Sequence, residues 1–225
     1  MSSITRLRSL TALAIVMLAA GSPAAHAQSS TMGNSFTGWY GSLNGDWSHV
    51  SDMTGTSSGA TFTTHFKEGW GAGGTIGFTF LNTHPADLNN NNLALALEAE
   101  GGYVRNDVDT VTAVTSAPAT GYLEQIPIDG SIVVRYHIIS PLTVFAGFGG
   151  GMGYEHLKIS SVSGSAFSTA NSDWEASMQG KAGVDVALGS GLSLGAGGKY
   201  YRLFRTSMGD HIITRMIYAE LNWSL

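Results

Sequence analysis

No cysteine occurs in the 225 residues, which excludes disulfides, thiolate metal sites, a thiol nucleophile and the lipidated cysteine of a lipoprotein. Long apolar runs are missing too. Beyond residue 30 no stretch of eighteen apolar residues is found, so a helical span is excluded and any membrane contact must be made by strands. Prolines number only five against thirty glycines; without a three-residue period, that glycine content fits bent strands and tight turns. An aromatic share of 10% argues against disorder. Charge is sparse at 12% and short of cations: setting aside Arg6 and Arg8 leaves nine of the eleven Lys and Arg against sixteen Asp and Glu, a formal −7. A basic face for nucleic acid is therefore not expected.

The first residues read as processing information. Arg6 and Arg8 form a basic start, residues 10–20 an apolar stretch about half a transmembrane helix long, and Ala25-His26-Ala27 a small-x-small cleavage signal. Residues 1–27 are expected to be a cleaved signal peptide and residues 28–225 a single exported domain.

In that domain eight segments alternate apolar residues of one parity with polar residues or glycine of the other. Trp39, Gly41, Leu43 and Trp47 oppose Tyr40, Ser42, Asn44 and Asp46. Trp70, Ala72, Ile76, Phe78 and Phe80 oppose glycines and threonines. Leu93, Leu95, Leu97, Ala99 and Tyr103 oppose Glu98, Glu100 and Gly102. Ile126, Ile128, Ile132, Val134 and Tyr136 oppose Gln125, Asp129, Ser131 and Arg135, with Pro127 and Val133 as imperfections. Leu142, Val144, Ala146, Phe148, Met152 and Tyr154 oppose a glycine row, and Phe145 is out of place. Trp174, Met178, Val184 and Val186 oppose Glu175, Gln179, Lys181 and Asp185. Leu192, Leu194 and Tyr200 oppose Ser193 and Lys199, and finally Ile213, Ile217, Leu221 and Trp223 oppose Thr214, Tyr218, Glu220 and Asn222. Eight strands make the smallest common closed barrel.

A soluble sandwich would also alternate, but the tryptophans and charges separate the two. Trp39 and Trp223 fall toward one rim and Trp47, Trp70 and Trp174 toward the other, all on the apolar parity, as interfacial aromatic girdles do. Charges in the strand centres take the opposite parity, so the exterior is apolar and the interior charged. The expected fold is all-β, an eight-stranded antiparallel transmembrane up-and-down barrel of a Gram-negative outer membrane. Connections 51–66, 105–124, 155–173 and 202–211 are long and polar, as extracellular loops are, whereas 138–141 and 189–191 are short periplasmic turns. Connection 81–92 is longer than this pattern predicts.

Gly38-Trp39-Tyr40-Gly41-Ser42, Val134-Arg135-Tyr136-His137 followed by residues 141–149, and Gly183-Val184-Asp185 leading to Lys199-Tyr200-Tyr201-Arg202 resemble the opacity-type branch of the OmpA/OmpX-like surface barrels. The resemblance covers essentially the whole exported domain and carries no catalytic signature. It implies insertion by the barrel assembly machinery and a role as surface antigen, adhesin or porin-like structural protein. Family members usually end in Phe; this chain ends Trp223-Ser224-Leu225, which keeps the apolar parity.

Among residues that could carry chemistry, Glu98 and Glu100 are placed to pair across the lumen with Lys181 and Lys199, with Asp129 at similar height and Arg135 with Glu220 as a second, lower pair. A salt-bridge plug is the expected outcome, because small barrels are filled by side chains. Inward glycines leave a narrow solute channel as the alternative. A lipid-modifying enzyme would need a nucleophile and base near the outer leaflet. His49, His65, His156 and His211 fall near that rim, but no His and Ser spacing places both on one face, so no catalytic residue, metal site or cofactor is assigned. Gly69-Trp70-Gly71-Ala72-Gly73-Gly74 has the letters of a dinucleotide fingerprint but opens no helix. Residues 108–120 are left open between added β-structure and a mobile loop. The expected function is structural, adhesive or antigenic, carried by the extracellular loops. Expected partners are outer-membrane lipid and lipopolysaccharide, the assembly machinery, and ligands on host or neighbouring cells.

Overall fold

The computed structural model describes residues 38–57, 60–83, 92–204 and 211–225. The expected signal peptide, most of connection 81–92 and much of connection 202–211 lie outside the described residues. The described residues form ten strands: β1 (Gly38–Val50), β2 (Met53–Ser57), β3 (Ala60–Phe66), β4 (Gly69–Asn82), β5 (Asn92–Thr112), β6 (Ser116–Ile139), β7 (Leu142–Val162), β8 (Ser165–Gly189), β9 (Leu192–Phe204) and β10 (His211–Ser224). Eight of them close an antiparallel ring in the order β1-β4-β5-β6-β7-β8-β9-β10, and β10 returns to β1 from Tyr40↔Ser224 to Val50↔Thr214. Closure leaves no open sheet edge in the ring, the condition for placing strands in hydrocarbon.

The ring is sheared. Followed from Trp47 through Trp70, Arg105, Glu124 and His156, directly opposed pairs arrive on β8 at Ser172; followed the other way through Ile217 and Gly198, they arrive at Ala182. The two differ by ten residues, the stagger that strand tilt requires of a closed barrel. Horizontal planes therefore cut the register lines by a little over one residue per strand.

Parity sorts the side chains as alternation demands. Trp39, Trp47, Trp70, Trp174, Leu97, Ile132, Phe148 and Ile217 are exposed on the outer surface, while Glu98, Glu100, Asp129, Arg135 and Asp185 are buried inside. The residues that broke the alternation have a cause. Val133 and Phe145 point inward and pack with Tyr218, and Pro127 lines an internal void, so all three belong to the lumen filling.

The outer connections contain more strand than expected. β2 and β3 make a hairpin inside connection 51–66, and β3 pairs with the upper end of β5 through Thr63↔Thr112 and Thr64↔Val111. Threonine-rich alternation favours strand here, and apolar Met53 and Phe66 are drawn into the core below. Residues 108–120 continue β5 and β6 as a hairpin, paired to Thr112↔Ser116. β7 and β8 likewise continue to Val162↔Ser165, where Ser163 (φ 52°) and Gly164 (φ 76°) supply the positive-φ pair that a two-residue hairpin turn needs. One side of the ring is consequently much taller: β5 to β8 have 21, 24, 21 and 25 residues, against 13, 14, 13 and 14 in β1, β4, β9 and β10. β9 follows β8 only as far as Ala176↔Phe204, so above that point β8 pairs only with β7 among the described residues.

Candidate functional site

The lumen gathers ionisable side chains away from water, and the inward parity of β1, β5, β6, β8, β9 and β10 builds it. Glu98 and Glu100 on β5 face Lys181 on β8 and Lys199 on β9. Lys181 pairs with Glu98 and, at 3.2 Å, with Glu100, and Lys199 pairs with Glu100. Lys181 and Lys199 are directly opposed across the β8–β9 ladder, so two like charges sit side by side and need both glutamates. Asp129 accepts a 2.5 Å bond from Ser177 and joins no ion pair among the described residues.

Arg135 does not pair with Glu220. Its guanidinium bridges Glu98 (3.0 Å) and Asp185 (2.7 Å), and Tyr40 donates a 2.5 Å hydrogen bond to the same Glu98 oxygen. The stagger explains this: a level plane through Arg135 meets β8 near Asp185 and β1 near Tyr40, but it meets β10 near Trp223, so Glu220 stands several residues higher, toward mid-lumen. The rings of Tyr40 and Phe145 lie 4.8 and 5.5 Å from the guanidinium carbon, and Asn222 donates to Asp185 at 3.3 Å. Every charged member of this lower cluster thus has a partner of opposite sign, the condition under which a buried charge is tolerated.

Several inward glycines lie against side chains from other strands. A Cβ added at Gly77 would strike the Tyr40 ring, one at Gly153 would strike Tyr201 and Leu203, and one at Gly197 would come within 2.7 Å of the Tyr218 hydroxyl. These glycines make room for large side chains reaching across from other strands. Between the two layers of side chains lies a void of about 10 Å³ bounded by Asp46, Glu100, Gln179, Lys199 and Tyr201, space for roughly one water molecule.

Toward the outer mouth the inner face turns apolar. Val50, Val104, Val108, Leu123, Leu203, Ile212 and Met216 point inward from five strands and pack with Met53, Phe66 and Tyr201 into one buried cluster. These apolar residues on the inner parity were visible as an inversion of the alternation near the strand ends, and sequence reasoning did not use that signal. It likewise left Asp185, Tyr40 and Ser177 outside the network although all three have inward parity.

The histidines do not converge. His49 on β1 meets Glu68 at 2.9 Å, His65 on β3 meets Asp52 at 2.9 Å, His156 on β7 stacks near Tyr122 at 5.8 Å, and His211 opens β10. Hydrogen bonds from the Trp47 indole and His49 hold the Glu68 carboxyl below its usual range. Among the described residues no group of three His, Asp or Glu side chains is arranged to hold a metal ion. The tryptophans lie in two bands. Trp39 packs on Phe78 at 5.1 Å, with Trp223 over Gly41 nearby; Trp47 is opposed to Trp70, which packs on Tyr103 at 5.6 Å, and Trp174 packs on Tyr154 at 5.5 Å.

Comparison with known proteins places this architecture. The fold is similar to that of the outer membrane protein OprG from Pseudomonas aeruginosa, at 12% identity over 84% of this chain and 97% of that one, with a TM-score of 0.53. It is similar also to the neisserial surface protein NspA (14% identity, 84% and 98% covered, TM-score 0.49) and to Ail, the attachment invasion locus protein of Yersinia pestis (15% identity, 83% and 99% covered, TM-score 0.45). No curated protein matches the sequence. The family model for the outer membrane protein beta-barrel domain matches residues 11–224, almost the whole chain. The chain belongs to that family, as an eight-stranded antiparallel barrel located in the outer membrane.

Proposed function

We propose that this protein is a closed barrel that acts through the β-structure it raises above the membrane, in a structural, adhesive or antigenic role. One observation carries the reading: between the paired charges at mid-height and the apolar cluster above them, the void is about 10 Å³, too small for a hydrated ion. The wall of β5 to β8 with the β2–β3 hairpin supplies the surface that such a role needs. The test compares cells carrying the native protein with cells carrying a form that lacks residues 53–64 and has the β7–β8 hairpin cut back. Adhesion to surfaces or host cells should fall while heat-modifiable gel migration, the mark of a folded barrel, is kept. Equal adhesion by both forms overturns the reading.

The second reading, a narrow porin-like channel, is favoured by the acidic inner wall, where Asp46, Asp129 and Glu220 add to the paired glutamates and only Arg135, Lys181 and Lys199 are basic among the described inward residues of the membrane-spanning strands. Steady cation current through planar bilayers containing the purified protein would select it. A lipid-modifying activity is not part of the proposal, and lipid A mass profiles with and without expression should coincide.

A further inference from the structure

The outer surface carries cations at two places near the upper aromatic band, and they differ. On the tall side Arg105 is neutralised within the protein: it meets Glu124 at 3.3 Å and Asp107 at 3.6 Å and lies 4.3 Å over the Tyr122 ring. On the short side Arg202 of β9 and Arg215 of β10 face outward and meet no carboxylate among the described residues. Arg215 is exposed, directly opposite His49 on one flank and Tyr200 on the other. Arg202 is opposite Ile213, one outward pair above; its guanidinium lies 4.9 Å from the Phe204 ring, and its Nε is buried without a partner.

The stagger fixes the depth of this pair. Carried around the ring, the plane through Trp47 passes close to Arg215 and Tyr200, with Arg202 slightly higher. An indole on the outer surface marks headgroup depth, so both guanidiniums sit where hydrocarbon ends. An arginine there retains its charge and needs an anion, and the planar guanidinium fits phosphate oxygens in a forked geometry. The outer leaflet presents phosphorylated glycolipid at that level.

We propose that Arg202 and Arg215 form a binding site for the phosphate of an outer-leaflet glycolipid, the lipid A part of lipopolysaccharide, on the β9–β10 face. The site is independent of the role assigned to the extracellular sheet. His49 flanks it but is engaged by Glu68, and Tyr200 offers a hydroxyl beside Arg215.

Native mass spectrometry of the detergent-folded protein titrated with diphosphoryl lipid A tests this. The native protein should retain one lipid A more tightly than it retains phosphatidylcholine, and R202Q/R215Q should bind it about tenfold more weakly. R105Q should bind as the native protein does, and dephosphorylated lipid A should bind the native protein as weakly as lipid A binds the double variant. Unchanged binding by R202Q/R215Q, an equal loss in R105Q, or indifference to the phosphates each overturns the site. Gel migration before and after heating checks folding. If the double variant does not fold, the native protein decides alone, because the site requires both phosphate dependence and weakening by salt.

Discussion

Arg135 and Leu203 both point into the ring and both are almost wholly buried, at 5% and 0% exposure, yet they belong to layers built on opposite principles. The mid-lumen layer is held by charges that must find each other: Arg135 with Glu98 and Asp185, Lys181 and Lys199 with the two glutamates. The layer at the outer mouth is held by packing of apolar side chains that tolerate one another in many arrangements. Desolvation offsets most of the attraction in a buried ion pair, so the lower layer adds little net stability but penalises any wrong register. The upper layer supplies burial and keeps water off the charges. In a barrel whose outside is solvated by lipid, the inside is the only place where the ordinary hydrophobic effect can act.

The comparison breaks most visibly at Arg135. R135A leaves Asp185 an uncompensated buried charge and Glu98 with Lys181 alone, and should cost about 3 to 5 kcal/mol in urea unfolding of the protein in vesicles. A loss no larger than that of a surface arginine would mean that water reaches the layer freely. Leu203→Ala in the mouth should cost roughly 3 kcal/mol by the same assay, since Leu203 is fully buried and its neighbours on β9 and β10 cannot collapse around the gap. If instead the variant is unaffected, the apolar cluster is not a packed core. Gly197→Ala probes the filling below the charged layer, because its Cβ would meet the Tyr218 hydroxyl at 2.7 Å and the Ala182 carbonyl at 2.5 Å. A cost of about 1 to 3 kcal/mol is expected, with Tyr218→Phe relieving part of it. The smallest effect should come from replacing one ion pair whole: E100M/K199M should remain within about 1 kcal/mol of the native protein, whereas K199M alone falls well below it. Matching losses for the single and double variants would show that the layer stabilises through the pair itself.

Much of the lumen was legible from parity alone. Strict alternation placed Glu98, Glu100, Lys181 and Lys199 inside, and a ring of eight strands put β5 across from β8 and β9. Height was not legible. Counting residues from each strand's end ignores the stagger, and for that reason Arg135 was matched to Glu220 when Asp185 stands at its level. The inward glycines illustrate a second limit: a missing side chain reads as empty space until the residue that reaches into it, Tyr40 into Gly77 or Tyr201 into Gly153, is known. The β2–β3 hairpin was missed because its threonines and serines have the composition of a loop, and only pairing with β5 turns them into strand. Nothing in the sequence joined Arg202 to Arg215, since their adjacency depends on the β9–β10 register.

The unequal strand lengths give the molecule a heading that a ring of eight strands would otherwise lack. A body moving along the cell surface meets a long upright sheet if it arrives from the β5–β8 side, and shorter strands with two arginines near the lipid headgroups if it arrives from the β9–β10 side. Encounters with this protein are therefore directional within the plane of the membrane. Its rotation about the membrane normal becomes a variable that any partner has to match.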